Sequence, residues 1–463
     1  MDDDMVARKR AERAQRKAAA AAAAATSTPA TAEAPPLAPE TAIRRRAWLP
    51  LPHVAATTRR VRVVSWNMLA QCLVRRELFP GSDCLKFKTR LPGLAADFTT
   101  YDWDIGCFQE VDSMNEIGPI LTKAGYAFEY QRGYATKRHG LVVAWRAQAS
   151  DRPSFDSPVW THVLHLDDAE AWGGAVEGTA LSRITRNTAL MVALPCADGQ
   201  GGVVIVTTHL FWQPRYEYER VRQVAAITQA INAVRTSHEA WSSWPVIFAG
   251  DLNDQPHSST YTVLTGQGPM YKDVIETTLQ SSRIVHTSVD EARGHRTVHY
   301  AKTMTEDGDE DRVLGRFRYG LDNELLTTDD LLRHCKVQGA PSKPWHFQSV
   351  YGTHYGALAG QPGVEYFKDR GTAPERYDET EKPVPSDPRQ CQSYEPKWTL
   401  YSSLFHLTLD YIMLAPSMDE QGPDYPPVTA LLALHPTDTL QPGIPRQGVC
   451  SSDHVLIGAE IAL

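Results

Sequence analysis

The chain has 463 residues, 42% of them hydrophobic and 22% charged, which excludes a wholly disordered chain and leaves room for one large domain or two to three average ones. No run of about 18 apolar residues occurs, so no membrane span is expected, and the seven scattered Cys form no CxxC pair, which argues against zinc ribbons and secreted disulfide frameworks and for the cytoplasm or nucleus. The net charge of −8 is uneven: residues 1–46 carry nine Lys/Arg against six Asp/Glu, so the remainder is acidic and needs a local cationic groove or bound metal ions if it is to bind a polyanion.

In chain order, residues 1–58 come first. They read ARKRAERAQRK, then eight Ala, then the Pro-rich TSTPATAEAPPLAPE. This composition predicts a disordered basic, Ala- and Pro-rich tail. It has no apolar signal core, and its opening acids argue against a transit peptide. Two readings stand: a solvated tail, or an arm that touches RNA or directs nuclear import, since six Lys/Arg fall within ten residues. From Arg59 to Leu463 short β-branched runs alternate with helical stretches. Strands are predicted over Val61–Trp66, Ile105–Phe108, Leu141–Trp145, Ala189–Ala193, Val203–Thr207, Val246–Ala249, Leu409–Leu414 and His454–Ala459. Helices are predicted over Phe87–Phe98 and from Glu217, where Val221, Val224, Ile227, Ile231 and Val234 recur at helical spacing. That alternation means an α/β layered domain over 59–463. Two stretches near 294–315 and 352–388, rich in Gly, Pro and charge, interrupt it as surface insertions or as lids.

The chemistry gathers where strands end. Asn67 follows the first strand, Gln109 and Glu110 the second, Thr208 and His209 another, and Gly250, Asp251 and Asn253 another; Asp410 opens LDYIML, and Asp453 and His454 precede the last strand. If these ends share one edge, several carboxylates, two amides and two imidazoles meet. Carboxylates crowd together as anions only around a cation. Asp, Glu and Asn oxygens suit a hard ion, Mg²⁺ or its substitute Mn²⁺. Imidazoles then serve proton transfer or donate to a phosphoryl oxygen. The set is a kit for metal-assisted phosphodiester hydrolysis.

The ordered motifs SWNMLAQ (65–71), FQEVD (108–112), THLFW (208–212), GDLNDQP (250–256), LDYIM (409–413) and SSDH (451–454) resemble the endonuclease/exonuclease/phosphatase superfamily. With RVRQ (220–223) and SYEPKWT (393–399) they are most similar to its deadenylase branch, which includes nocturnin, Angel and fungal stand-alone RNA exonucleases. The resemblance implies a four-layer α/β sandwich of two packed mixed sheets flanked by helices. By position it implies Asn67 and Glu110 as metal-binding residues and Asp251 as the group that orients or deprotonates the attacking water. Asn253 would hold the scissile phosphate, and His209 and His454 would contact it. Asp453 would orient His454, Asp410 would be a second acid near the metal, and Asn187 a further phosphate-side amide.

Pro214 and Phe405 resemble a clamp that sandwiches a base; alternatively Phe405 is a core aromatic and Pro214 starts a helix. Two departures stand out. His139 in KRHG and Asp254 after Asn253 replace the family's Asp and Ser, the second adding charge near the site. No leucine-rich docking segment precedes the domain. The resemblance implies a Mg²⁺-dependent 3′–5′ exoribonuclease acting on single-stranded RNA 3′ ends, in poly(A) shortening or ribosomal RNA 3′-end processing, and releasing 5′-nucleotides. A nucleotide or dinucleotide phosphatase or a 2′-phosphodiesterase is the alternative for the same site, and a silent binding module the third reading.

Overall fold

The computed structural model describes residues 45–52, 59–134, 137–148, 152–167, 185–214, 216–238, 241, 243–266, 272–282, 284–286, 317–319, 345–370, 393–418 and 423–463. Expectations for residues 1–44, 294–315 and 371–388 lie outside them. No helix among the described residues is long and apolar enough to cross a membrane.

Among the described residues, nine strands lead the chain: β1 (Trp48–Pro50), β2 (Arg60–Asn67), β3 (Ile105–Val111), β4 (Tyr126–Gln131), β5 (Gly140–Arg146), β6 (Trp160–His165), β7 (Thr188–Pro195), β8 (Gly202–His209) and β9 (Val246–Asp251). Four further strands complete the sheets: Gln348–Ser349, Asp410–Ala415, Val428–Leu432 and Ile457–Ala462. One sheet has seven strands in the order β1, Val428–Leu432, Ile457–Ala462, β2, β3, β5, β4; the other has six, in the order Gln348–Ser349, Asp410–Ala415, β9, β8, β7, β6. Each is mixed, antiparallel except for one parallel pair, β2 with β3 and β8 with β9.

Alternation in β7 shows how the layers form. Leu190, Val192 and Leu194 join β2, β3 and β5 side chains in the core between the sheets. Ala189, Met191 and Ala193 face the other way, with Val221, Val224 and Ile227 of the helix Glu217–Ser237. This is the expected α/β sandwich of two packed sheets with flanking helices.

Most predicted strands extend by one to three residues. The last is shifted: His454–Leu456 stay outside the ladder, and the strand is Ile457–Ala462. Two boundaries also move. Trp48–Pro50, from the segment expected as tail, pairs with Val428–Leu432. Arg46 ties that segment down through the carbonyls of Ala433 and Leu456 and the Tyr101 hydroxyl. The stretch expected as a surface insertion from Gly352 begins in the core instead: Tyr351, Tyr355 and Leu358 are buried, and the Tyr351 hydroxyl donates toward the carbonyls of Leu432 (2.8 Å) and Gly458 (3.0 Å). Apolar rings spaced four residues apart outweigh the intervening glycines.

Candidate active site

Parallel neighbours deliver their carboxyl ends to the same edge of a sheet, which is where α/β sheets place ligands. In the first sheet that edge carries Asn67, the last residue of β2, and Glu110 near the end of β3. The β3–β5 register shifts between Phe108 and Val111, and Glu110 lies in the left-handed region at φ 55°. This kink turns its side chain into the site instead of onto a sheet face. In the second sheet His209 and Asp251 are register partners at the ends of β8 and β9, and Asp410, opening the antiparallel neighbour, is the register partner of Asp251 on its other side.

One layer below, Gln109 joins the sheets. It is fully buried, and its Nε2 donates to Thr207 Oγ1 of β8 (3.0 Å), with Ser65 Oγ of β2 also in reach (3.3 Å). Sequence reasoning gave Gln109 no task; an amide amid apolar strand residues was the signal.

The predicted residues converge. Asn67 Nδ2 donates to Asp251 Oδ2 at 2.9 Å and to Glu110 Oε1 at 3.2 Å. Glu110 Oε2 accepts from the Ala70 N–H (2.9 Å), and Asp251 Oδ1 from the Asn253 N–H (2.8 Å). His209 Nε2 lies 3.6 Å from Asp251 Oδ2 and 3.8 Å from Glu110 Oε1. His454 Nε2 lies 3.7 Å from Asp251 Oδ2, and its Nδ1 is 2.8 Å from Asp410 Oδ2. Asp410, not Asp453, therefore holds His454. The Asp453 carbonyl accepts from Tyr401 N, and its carboxylate lies 3.3 Å from Ser452 Oγ. A neighbour in sequence points elsewhere here, while a residue 44 positions away supplies the bond.

The two imidazoles differ in charge. Burial pushes the His209 pKa down to about 3; Glu110 opposes this, and His139 and Lys137 reinforce it. Burial also works against charge on His454, yet Asp410 and Asp251 carry its pKa well above the ordinary imidazole value. Burial raises the Asp251 carboxyl, His454 opposes that rise, and Asp410 adds to it. Burial would raise Glu110, but His209, His139 and the Ala70 N–H bring it below the usual carboxylate range. Near neutral pH the site thus has one neutral and one charged imidazole, which suits two roles.

The outer residues fall into place. Asn187 Nδ2 donates to the His209 carbonyl (2.7 Å) and its Oδ1 faces Gln223 Nε2 (3.3 Å), so it supports the end of β8. Asn253 Nδ2 donates to the Leu210 carbonyl (2.9 Å). Asp254 does not charge the site: its Oδ2 accepts from Arg220 Nε (3.0 Å) and Thr260 Oγ1 (2.6 Å). RVRQ and SYEPKWT are explained the same way, as supports. Gln223 Oε1 accepts from Phe211 N, and Thr399 Oγ1 accepts from the N–H groups of Leu409 and Asp410. Pro214 is exposed, and Phe405 is 53% exposed, so Phe405 is no core aromatic. Lys137 and His139, which the motifs did not place, are buried beside Glu110 and His209; the departure at KRHG was their signal.

Arg90 was missed. It is 1% exposed; its Nε donates to the Ser451 carbonyl (2.8 Å) and its Nη2 to the Leu69 (2.7 Å) and Met68 carbonyls. One guanidinium thus ties the turn after Asn67 to the turn before Asp453.

The donor set fits a hard divalent ion. Its atoms are the carboxylate oxygens of Glu110, Asp251 and Asp410, and Asp410 Oδ1 is buried without a hydrogen-bond partner. Among the described residues, Asp251, Asp410 and His454 bring ligand-type atoms within 4.8 Å of one another. His454 Nδ1 and Asp410 Oδ2 are already bonded to each other, which leaves the Glu110 and Asp251 carboxylates better placed to hold an ion; Asn67 turns its Nδ2 to both of them while its Oδ1 accepts from Leu69 N (3.0 Å).

This is the constellation of a hydrolytic phosphate site at the meeting of two sheets. The family model described as endonuclease/exonuclease/phosphatase family matches residues 64–454, and the chain belongs to that family. It is 33% identical over 210 residues to a probable RNA exonuclease of Schizosaccharomyces pombe, covering 44% of this chain and 38% of that protein. It is 29% identical over 272 residues to RNA exonuclease NGL2 of Saccharomyces cerevisiae, covering 54% and 50%. These matches span half or less of the relatives' length. In fold it is similar to the crystal structure of ANGEL2, a 2′,3′-cyclic phosphatase, with a TM-score of 0.54 and 20% identity over 90% of this chain and 99% of that one.

Proposed function

We propose that the chain is a divalent-metal-dependent 3′–5′ exoribonuclease that removes 5′-nucleotides from single-stranded RNA 3′ ends, as in poly(A) shortening or ribosomal RNA 3′-end processing. The observation that carries this reading is the Asp251 carboxylate set among Asn67, His209 and His454, with the Asp410–His454 pair behind it. The RNA exonuclease relatives supply the substrate class.

Glu110, and Asn67 once its amide turns Oδ1 to the ion, would hold Mg²⁺, with Mn²⁺ as substitute; when bound, the ion would polarise the scissile phosphate and offset its charge. Asp251 Oδ2 orients water and takes its proton. His209, neutral, donates to a phosphoryl oxygen, and so does the second Asn253 Nδ2 hydrogen. His454, charged by Asp410, stabilises the charge that develops as the P–O3′ bond breaks. Asn187 acts through the end of β8. Exposed Phe405 and Pro214 would stack on a base, worth ~1–3 kcal/mol per base and indifferent to hydrogen-bond pattern. We assign the protein to the cytoplasm, the nucleus or both.

The test compares wild type with Glu110→Ala on 5′-labelled RNA carrying an A20 tail, a U-tailed control and NADPH, with and without Mg²⁺. A 3′-shortening ladder that needs Mg²⁺ and disappears in the variant supports the reading. Phosphate release from NADPH with intact RNA would replace it with the phosphatase reading.

A further inference from the structure

A pocket of about 170 Å³ opens beside Glu110, His209 and Asn187. Its wall carries Leu73, Leu78, Phe79 and Trp212, and its polar part adds Lys137 and His139. Neither Pro214 nor Phe405 lines it, so it is separate from the base clamp.

Lys137 and His139 come from the segment between β4 and β5 and are 9% and 5% exposed. Lys137 Nζ donates to the Arg186 carbonyl at 2.9 Å, which fixes the ammonium at the pocket. The His139 ring centroid lies 6.3 Å from that of His209. A smaller cleft continues past the same two residues to Arg132 and Thr188. Apolar and aromatic wall next to a buried ammonium and an imidazole is a surface for a ligand that is flat and apolar at one end and anionic at the other. A purely apolar ligand would make no use of the ammonium's charge. A small free anion would leave the wall wet. A nucleotide satisfies both.

We propose that this pocket is a second nucleotide subsite. Its wall holds a base or ribose, and Lys137 with His139 holds a phosphoryl group one nucleotide away from the scissile one. The proposal rests on the exoribonuclease reading for its ligand. That phosphoryl group is either the neighbouring internucleotide phosphate or a phosphate on the RNA 3′ end.

The test is a charge-deletion cycle read by equilibrium binding, without added divalent ion so that no turnover intervenes. Fluorescein-labelled A12 RNA is titrated with wild type, Lys137→Met and Lys137→Arg, and melting curves confirm that the variants fold. Companion oligonucleotides carry one neutral methylphosphonate at the first, second or third linkage from the 3′ end, or a 3′-phosphate. Lys137→Met should weaken binding of the parent RNA by about tenfold, the size of one charge-assisted contact, while Lys137→Arg stays within threefold of wild type. At one methylphosphonate position the wild type and Lys137→Met should bind alike, which names the internucleotide phosphate. Tighter wild-type binding of the 3′-phosphorylated RNA, lost in Lys137→Met, names the terminal phosphate instead. The same loss from Lys137→Met on every oligonucleotide would overturn the proposal, as would no loss on any. If RNA trimming in Mg²⁺ fails while the cycle shows coupling, the exonuclease reading falls and the subsite stands. Trimming without coupling gives the opposite result.

Discussion

Asp410→Asn separates the two carboxylates, Asp453 expected beside His454 and Asp410 found there. The Asp410 Oδ2–His454 Nδ1 bond is 2.8 Å long and buried, and an asparagine amide keeps the shape of the carboxylate while removing its charge. A hydrogen bond to a charged group contributes about 1.5–3 kcal/mol, so kcat should fall by about 10- to 150-fold if the bond is fully used in the transition state. The sign of the pH effect follows from the same pair. Burial opposes the imidazolium, and Asp410 is the largest influence holding it charged. Without that anion the His454 pKa drops, so the limb of the kcat–pH profile that reports imidazolium loss moves to lower pH. Asp453→Asn leaves this bond in place and should change kcat by less than about threefold. Single-turnover trimming of labelled RNA from pH 5 to 9 measures all three enzymes. An Asp453→Asn loss equal to that of Asp410→Asn, or an unmoved limb in Asp410→Asn, would refute the assignment.

Three further outcomes are expected. Asp97 is buried, with Oδ2 unpaired, and burial pushes its pKa to about 7 although Arg46 opposes this. The native state then keeps the proton to higher pH than the unfolded chain, so wild type loses stability as pH rises from about 4 to about 7; Asp97→Asn should be more stable at pH 8 by up to about 4 kcal/mol and unchanged at pH 4, measured by urea unfolding. Arg90→Met strands the carbonyls of Met68, Leu69 and Ser451 and should cost about 2–4 kcal/mol; kcat should fall more than KM rises, with partial recovery in free guanidinium, and recovery in sodium chloride alone would contradict the account. Gly250→Ala would place a Cβ 2.3 Å from the Thr208 carbonyl oxygen of the adjoining strand, so soluble yield and melting temperature should collapse together.

The residue types at strand ends made the site legible. Asn67, Glu110, His209, Asp251 and Asp410 sit where apolar runs stop, and two parallel pairs plus one antiparallel neighbour were enough to gather them. What stayed hidden depends on direction, not position. No pattern tells which of Asp410 and Asp453 faces His454, since that is set by the register with β9 and by Thr399 Oγ1. Strands β4 and β6 passed unnoticed because they lie at sheet edges, half-buried, and lack continuous apolar runs. Lys137 and His139 sit between strands, where periodicity says nothing.

The place of Ile457–Ala462 has a consequence for the life of the chain on the ribosome. This strand enters the middle of its sheet, between Val428–Leu432 and β2, and His454 precedes it by three residues. Until that stretch has left the exit tunnel, β2 lacks one neighbour and Asp410 has no imidazole to charge. The pairing of Asp410 with His454 is therefore completed only after residues 454–462 have been made, and a chain released before them lacks it.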